Sequence, residues 1–345
     1  MKQALVISGG GSKGAFAVGV VKDLVNIYEL DFEVLVGTST GSLICPLVAL
    51  GELEKLEELY TTITNEQVLI KYNIGERLST SSVFSAQPLT DKIKALYTDD
   101  FYSRLKASGK ELYFTSVCLQ TEELVVFTTA AHPVTNSYYR VREIINADHF
   151  RRALLASASQ PVFMPPVKVN KNIPGEAFPD YQFVDGGTRE YAGVGIAGDA
   201  GGQEIFTILL SGKHVVPATG EFKNLFGVLE QTIAIFISDV GANDLYTPQQ
   251  YNEGLSYIQK VKDKMKALGV SEQDIKNYFT LDGIPGRYQD KQPVKIHILQ
   301  PENSLGGGPG GLVFNPAEMK AMMLQGQLVL QSYVTKLTAG EVDWA

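Results

Sequence analysis

The 345-residue sequence contains little cysteine and has no block of clustered basic residues. No metal-ligand spacing joins its two cysteines, Cys45 and Cys118, to histidine, so we expect two buried thiols and no disulfide framework. Binding to nucleic acid needs clustered Lys and Arg, whereas the formal net charge here is −8. We therefore expect no nucleic-acid partner and a cytoplasmic protein, and the composition leaves transient contact with a membrane surface open.

A long uninterrupted apolar run is also missing. No stretch of about 18 apolar residues occurs, which predicts that the chain has no transmembrane helix. The apolar N-terminus is interrupted by glycines together with Ser12 and Lys13, and no cleavage-like site follows, which argues against a signal peptide. Hydrophobic residues make up 44% of the sequence, enough to form a sizeable core.

Short apolar runs alternate with helical patterns in the first half of the chain. The runs 3–8 and 32–36 are typical of buried strands, and residues 15–28 between them have helical spacing. Strands joined through a helix pair in parallel with a right-handed crossover, so we predict an α/β fold, a single domain over residues 1–345. We also predict helices over 42–50, 52–60, 150–157, 222–240, 249–268 and 317–335, strands over 182–184, 204–210 and 293–299, and a hairpin of 111–119 with 123–129.

The pentapeptide Gly37-Thr38-Ser39-Thr40-Gly41 fits the G-x-S-x-G pattern of a nucleophile elbow. Such a sharp turn from strand to helix leaves no room for side chains beside the serine, which explains the flanking glycines. The bare pattern is weak, and a glycine turn with a capping serine is the alternative. Because the pattern lies between an apolar strand and an apolar helix, we favour Ser39 as a nucleophile.

A second glycine-rich segment, residues 9–14 with the sequence GGGSKG, also lies between a strand and a helix. Successive backbone N–H groups in such a turn bind anions, so in a serine hydrolase they would form the oxyanion hole. The same residues fit a dinucleotide-binding pattern, but the acidic residue expected at the end of the second strand is replaced by Gly37 and Thr38. Nucleotide binding therefore remains the less favoured alternative. The candidates for the oxyanion hole are Gly9, Gly10, Gly11, Ser12 and Lys13.

A serine hydroxyl needs a base to become an effective nucleophile. Among the four histidines, His214 follows Ser39 in the chain order of α/β-hydrolase triads. In those enzymes several strands precede the elbow, whereas here one strand and one crossover helix precede it. We therefore expect a surface or supporting role for His214.

Asp185 is the preferred candidate for the base. It ends an apolar run and precedes Gly186 and Gly187, so its carboxylate would project from a strand end with the backbone turning behind it. A partly desolvated carboxylate that is bonded directly to the serine can act as its base. A plain Asp-Gly turn is the alternative, and Asp282-Gly283 has similar local chemistry.

Taken in order, GGGSKG at 9–14, GTSTG at 37–41 and DGG at 185–187 resemble the pattern of the patatin-like phospholipases. Residues 153–166 are also similar to the segment that leads to the aspartate in that family, so the resemblance covers about residues 3–190. It implies a three-layer α/β/α fold and hydrolysis of a lipid ester through an acyl-enzyme, without a cofactor, a metal or a catalytic histidine. It also implies a Ser-Asp dyad of Ser39 and Asp185, with an oxyanion hole from the backbone of Gly10 and Gly11.

One departure from the family pattern concerns the loop behind Asp185. Many members carry Asn-Pro a few residues after D-G-G, whereas residues 188–194 here read TREYAGV. We expect this difference to change the pocket more than the dyad. A general carboxylesterase or thioesterase, and a degenerate member acting through protein contacts, remain alternatives. The glycine-rich stretch 305–313 is interpreted as a flexible surface loop or as a lid near the site.

Overall fold

The structure is a computed structural model that describes residues 1–73, 80–133, 137–214, 217, 220–280, 288 and 291–341. Its strands are β1 Gln3–Ile7, β2 Val34–Gly37, β3 Ile70–Lys71, β4 Phe84–Ser85, β5 Glu111–Cys118, β6 Leu124–Thr128, β7 Arg140–Glu143, β8 Phe183–Asp185, β9 Glu204–Ile208 and β10 Lys295–Leu299. Its α-helices are α1 Gly14–Asn26, α2 Thr40–Ala49, α3 Leu53–Thr62, α4 Gln87–Leu96, α5 Asp99–Ala107, α6 Ala147–Ser157, α7 Val194–Asp199, α8 Leu225–Ala267, α9 Glu272–Tyr278 and α10 Pro316–Thr338.

The described strands other than β3 and β4 form one mixed sheet in the order β10-β9-β1-β2-β5-β6-β7, with β8 also paired to β5. Strands β10, β9, β1, β2 and β5 run parallel to one another, whereas β6 and β8 are antiparallel to β5. Helix α1 crosses between β1 and β2, as the spacing of the two apolar runs predicts. The predicted α/β class, with a mostly parallel sheet flanked by helices, is confirmed.

Side chains alternate between the two faces of the sheet and form two cores. Leu5, Ile7 and Leu35 point to the larger core, which contains residues of α1, α2, α3 and α10. Val6 and Val36 point to the other face, where α7 covers them. Burial on both faces explains why these strands read as continuous apolar runs and not as alternating ones.

Helix α8 differs from the sequence prediction. We expect two helices, over 222–240 and 249–268, whereas one helix of 43 residues runs through Pro248. A proline removes only one backbone donor, and the helix is anchored on both sides of it by Asp244 and Asn252. Helices α4, α5, α7 and α9 and strands β3, β4 and β7 are absent from the prediction altogether. No helix among the described residues has the length and hydrophobicity needed to span a membrane.

Candidate active site

Ser39 occupies the turn between β2 and α2 in a conformation that few side chains adopt. Its φ is 56° and its ψ is −121°, where a non-glycine residue is strained. A Cβ on Gly41 would lie 2.1 Å from the carbonyl oxygen of Ile7, so glycine is needed for β1 and α2 to approach this closely. Gly37 lies directly against the backbone of Gly41. The turn therefore has the geometry that a nucleophile elbow requires.

Hydrogen bonds from neighbouring elements hold this strained turn. The Ser39 amide donates to Ser157 Oγ at 3.0 Å, and the Ser42 hydroxyl donates to the Ser39 carbonyl at 2.6 Å. The Thr38 hydroxyl is 2.7 Å from that of Thr115 and donates to the Glu190 carbonyl at 3.1 Å. Strain of this kind persists only when the surroundings fix it, and these bonds do so.

The register of the sheet explains why residues 39 and 185 meet. Strand β2 runs parallel to β5 and ends with Gly37 opposite Phe114, whereas β8 runs antiparallel to β5 and ends with Asp185 opposite Ser116. The carboxyl ends of β2 and β8 therefore face each other along one edge of β5, on either side of Thr115. A residue just beyond β2 is thereby brought next to the last residue of β8.

Asp185 lies next to Ser39 in the structure, and the two residues border the same cavity. The Oδ1 atom of Asp185 accepts the Gly187 amide at 2.8 Å, and the Asp185 amide donates to the Ser159 carbonyl at 2.9 Å. The side chain is buried, and a Cβ on Gly186 would collide with the hydroxyl of Thr115. The hydrogen bonds to Gly187 and Ser159 thus fix Asp185 beside the serine.

Burial raises the pKa of Asp185 to about 6, because desolvation disfavours the charged carboxylate. Interaction with the Ser39 side chain and the hydrogen bond from the Gly187 amide act in the opposite direction, since they stabilise the ionised form. At neutral pH the carboxylate is therefore ionised, and it is more basic than an exposed aspartate. This is the balance that a general base operating near pH 7 needs.

The glycine-rich loop after β1 lies beside Ser39. Residues 11–13 form a turn of 3₁₀-helix, in which the Lys13 amide donates to the Gly10 carbonyl at 3.1 Å. A Cβ on Gly9 would lie 3.3 Å from the Cβ of Ser39. Gly9, Gly10 and Lys13 border the same cavity as Ser39, whereas Ser12 is buried. The loop and the turn at Ser39 therefore line one site.

The second glycine-rich stretch packs against the first. Gly311 has a φ of 72°, and a Cβ there would lie 1.9 Å from the Gly10 carbonyl oxygen. A Cβ on Gly310 would lie 2.7 Å from the side-chain Nε2 of Gln160. These close approaches place residues 310–311 in the wall of the site, next to the residues that the sequence nominates for the oxyanion hole.

Ser39 lies where two cavities meet. The wider one, of about 480 Å³, is bordered by Asp185 and by Gly9, Gly10 and Lys13, and is covered by one face of α8, from Ala234 to Leu245. The narrower one, of about 110 Å³, is bordered mainly by aliphatic and aromatic side chains from α2, α3 and α4. Both cavities share Ser39, Gln160, Gly310 and Leu312. We call the first the wide cavity and the second the apolar channel.

None of the four histidines, all of which are described, borders either cavity. His214 is 70% exposed and lies 3.2 Å from a carboxylate oxygen of Glu302, in agreement with the surface role expected for it. His149 and His297 are buried in the core, where desolvation lowers the pKa of each imidazole. The buried state of Cys45 and Cys118 is also as expected.

Several residues of the site are not found by sequence reasoning. Ser157 lies in a segment noted for its resemblance to the family, but nothing there marks it as the partner of Ser39. Tyr191 borders the wide cavity, and Asp244 reaches its loop from α8; neither has a local signature. Asp282 and Gly283, the alternative Asp-Gly pair, lie outside the described residues.

Comparison with protein families gives a match over most of the motif-bearing part of the chain. A family model described as patatin-like phospholipase matches residues 5–197. A cUMP-AMP-activated phospholipase of Escherichia coli is 38% identical over 65 residues, which are 17% of this chain and 20% of that protein. The match to this curated relative thus spans about a fifth of the relative's length.

Two solved structures are similar at low identity. VipD from Legionella pneumophila has a TM-score of 0.40 and 12% identity, with 96% of this chain and 67% of that chain covered. Human GIVD cytosolic phospholipase A2 has a TM-score of 0.43 and 11% identity, with 98% and 59% covered. The family model, by contrast, matches more than half of the 345 residues. The chain therefore belongs to the patatin-like phospholipase family.

Proposed function

We propose that this protein is a lipid acyl hydrolase of the phospholipase A type that uses Ser39 and Asp185 as a catalytic dyad. The observation that carries the proposal is the placement of Ser39, in a strained turn, beside the buried carboxylate of Asp185 at the point where an apolar channel joins a wider cavity. Family membership supports the substrate class. The narrow channel suits an acyl chain, and the wide cavity suits the rest of the lipid.

The reaction proceeds in two halves. Ser39 Oγ attacks the ester carbonyl carbon while its proton passes to Asp185, and the resulting oxyanion is stabilised by amides of the loop at 9–13. Asp185 then gives the proton to the leaving alcohol, which leaves an acyl group on Ser39. Water gives a proton to Asp185 and attacks the acyl-enzyme, and Asp185 returns the proton to Ser39 as the fatty acid departs.

Within the oxyanion loop, the backbone amides are not equivalent. The Lys13 amide is already used in the bond to the Gly10 carbonyl, so the amides of Gly10 and Gly11 are the better candidates for the hole. The Lys13 side chain borders the wide cavity, and burial lowers the pKa of its ammonium group. A partly buried cation at this position favours a lipid that carries a phosphate.

The apolar channel makes a specific prediction about chain length. Leu43 and Leu47 of α2 both border it, one and two helical turns beyond Ser39, so an acyl chain would extend along this helix. Leu59 borders the same channel and is half-buried, so a larger side chain is accommodated there with little strain on the core. We expect Leu59→Phe to lower kcat/KM for long-chain esters by about tenfold or more, because the channel loses volume.

A short-chain substrate and a variant of equal volume provide the controls for this prediction. Hydrolysis of an acetyl ester should change little in Leu59→Phe, and Leu59→Ile, which keeps the side-chain volume, should retain the wild-type preference. The measurement is kcat/KM across a series of esters that differ only in acyl length. An equal loss for all chain lengths would contradict binding of the acyl chain in the apolar channel and would favour a general carboxylesterase.

The dyad also predicts a pH dependence. Asp185 accepts a proton from Ser39 only when it is ionised, and burial raises its pKa to about 6. We therefore expect kcat/KM to be maximal at neutral pH and to fall as the pH drops through about 6. The profile should be recorded with a neutral ester so that the substrate itself does not titrate. An acid limb centred near pH 4, the value of an exposed aspartate, would contradict this assignment.

A further inference from the structure

Helix α8 makes a direct contact with the loop that follows Asp185. Asp244 Oδ2, on this helix, accepts the backbone amide of Tyr191 at 2.6 Å and that of Ala192 at 3.1 Å. Both amides lie in the stretch where the sequence departs from the Asn-Pro of many family members. One carboxylate oxygen from a distant helix therefore fixes the far end of the loop.

The near end of the same loop is tied to the dyad. The Gly186 carbonyl accepts the amides of Arg189 and Glu190, and the Glu190 carbonyl accepts the hydroxyl of Thr38, the residue before Ser39. The loop thus connects Asp185 to the turn that carries Ser39. A shift at its far end would move both partners of the dyad.

Tyr191 extends this connection to the glycine-rich loop. Its hydroxyl lies near Ser8, the residue before Gly9, and near Ser211. Its ring packs against α8, where a Cβ on Gly241 would lie 2.7 Å from it. The ring is also close to Gly9 and Gly187. The side chain therefore lies between the proposed oxyanion loop and the loop of Asp185.

Keeping the carboxylate of Asp244 ionised at this buried position costs free energy. Burial raises its pKa to about 6, although the two amides act in the opposite direction. Glu190 lies nearby, and burial together with the charge of Asp244 raises the pKa of Glu190 as well. Asp199 adds a further negative charge, and the hydroxyl of Tyr139 donates to it at 2.8 Å. Ionisable groups with pKa values shifted by burial and by neighbouring charges cluster at functional sites.

We propose that Asp244 is a positioning residue of the active site, which fixes the loop of Asp185 to α8 by accepting the amides of Tyr191 and Ala192. This inference rests on the proposed function, since it concerns the geometry of the same dyad. It makes α8, which lies outside the segment that matches the family model, part of the machinery that activates Ser39.

The test compares substitutions that differ in their ability to accept these two amides. Asp244→Ala removes the acceptor, and Asp244→Glu keeps the charge but displaces the oxygen by one methylene. Asp244→Asn keeps an oxygen at the same place. Asp239→Ala removes an exposed carboxylate from the same helix, outside both cavities, and is the matched control. Each full-length variant is measured for Tm, for kcat and KM on a short-chain ester, and for the rate at which a fluorophosphonate modifies Ser39.

In Asp244→Ala and Asp244→Glu we expect kcat and the rate of modification to fall about tenfold to a hundredfold, with KM nearly unchanged, because a misplaced dyad reacts slowly without binding less substrate. Asp244→Asn should restore most of the rate, and Asp239→Ala should match the wild type. If Asp244→Ala does not fold, the rates of Asp244→Glu and Asp244→Asn are compared with each other and with the wild type. Wild-type rates in the Ala or Glu variant, or no rescue by Asn, would overturn the inference. If Ser39 of the wild type is not modified at all, the proposed function fails instead.

Discussion

Replacement of Ser39 by alanine is expected to reduce ester hydrolysis by at least about 10³-fold, to a rate set by the remaining site. The substitution removes the only atom that the proposed mechanism allows to form the acyl-enzyme. The main-chain bonds of the turn, from the Ser39 amide to Ser157 and from Ser42 to the Ser39 carbonyl, do not depend on the side chain. The measurement is kcat on an activated ester, with circular dichroism to show that the variant is folded.

A matched control for Ser39→Ala is Ser42→Ala, one turn into α2. Ser42 is buried and donates only to a backbone carbonyl, and the bonds from the Ser39 amide and from Thr38 still hold the turn without it. Its loss should therefore lower stability by about 1 kcal/mol and leave most of the activity. Full activity of Ser39→Ala would show that another group is the nucleophile. Equal inactivity of both variants, with both folded, would point to disruption of the turn and not to loss of a nucleophile.

Asp185→Asn is expected to have the second largest effect, a fall in kcat of about 10³- to 10⁴-fold. The amide oxygen can still accept the Gly187 amide, but the amide nitrogen facing Ser39 is a donor and cannot take up a proton. The hydroxyl would then be held without a base. The measurement is kcat together with the rate of fluorophosphonate modification, and both should fall in parallel.

The same substitution should not destabilise the fold. Because burial raises the pKa of Asp185 from 3.8 to about 6, its contribution to stability is greatest below pH 4 and is lost as the pH rises through about 6. A neutral amide avoids this cost, which corresponds to about 3 kcal/mol at most at pH 7. Asp185→Asn should therefore have a Tm equal to or above that of the wild type. A variant that is inactive and markedly less stable would indicate that Asp185 is mainly structural.

Sequence reasoning succeeds where the determinants are local. The turn at Ser39 needs Gly41 because of a close approach to Ile7, and that requirement leaves a pattern within five residues. Asp185 ends an apolar run and is followed by two glycines, which again is a local signature. The strands and helices on either side of these motifs follow from apolar runs and helical spacing, and most of them are confirmed to within a few residues.

The remaining features depend on contacts between distant segments. Nothing near Asp244 shows that it will accept two amides located more than 50 residues earlier in the chain. The packing of Gly311 against Gly10 depends on how the C-terminal part returns to the sheet, and glycine alone also permits a free surface loop. The continuity of α8 through Pro248 is likewise set by tertiary anchors, which override a local signal for a helix break.

The single-domain organisation and the cytoplasmic location stay predictions, as does contact with a membrane surface. These predictions concern the whole protein in the cell, whereas the proposed dyad concerns two side chains of the active site. Identification of the reacting residue therefore tests the account more directly than any assay of localisation.

The most direct measurement is mass-spectrometric identification of the residue that a fluorophosphonate modifies in the wild-type protein and in Asp185→Asn. We expect a single adduct on Ser39, formed by loss of fluoride, and a rate of formation at least about 10²-fold slower in the variant. An adduct on another residue, or modification of Ser39 at the same rate in both proteins, would contradict the assignment of Ser39 and Asp185 as a catalytic pair.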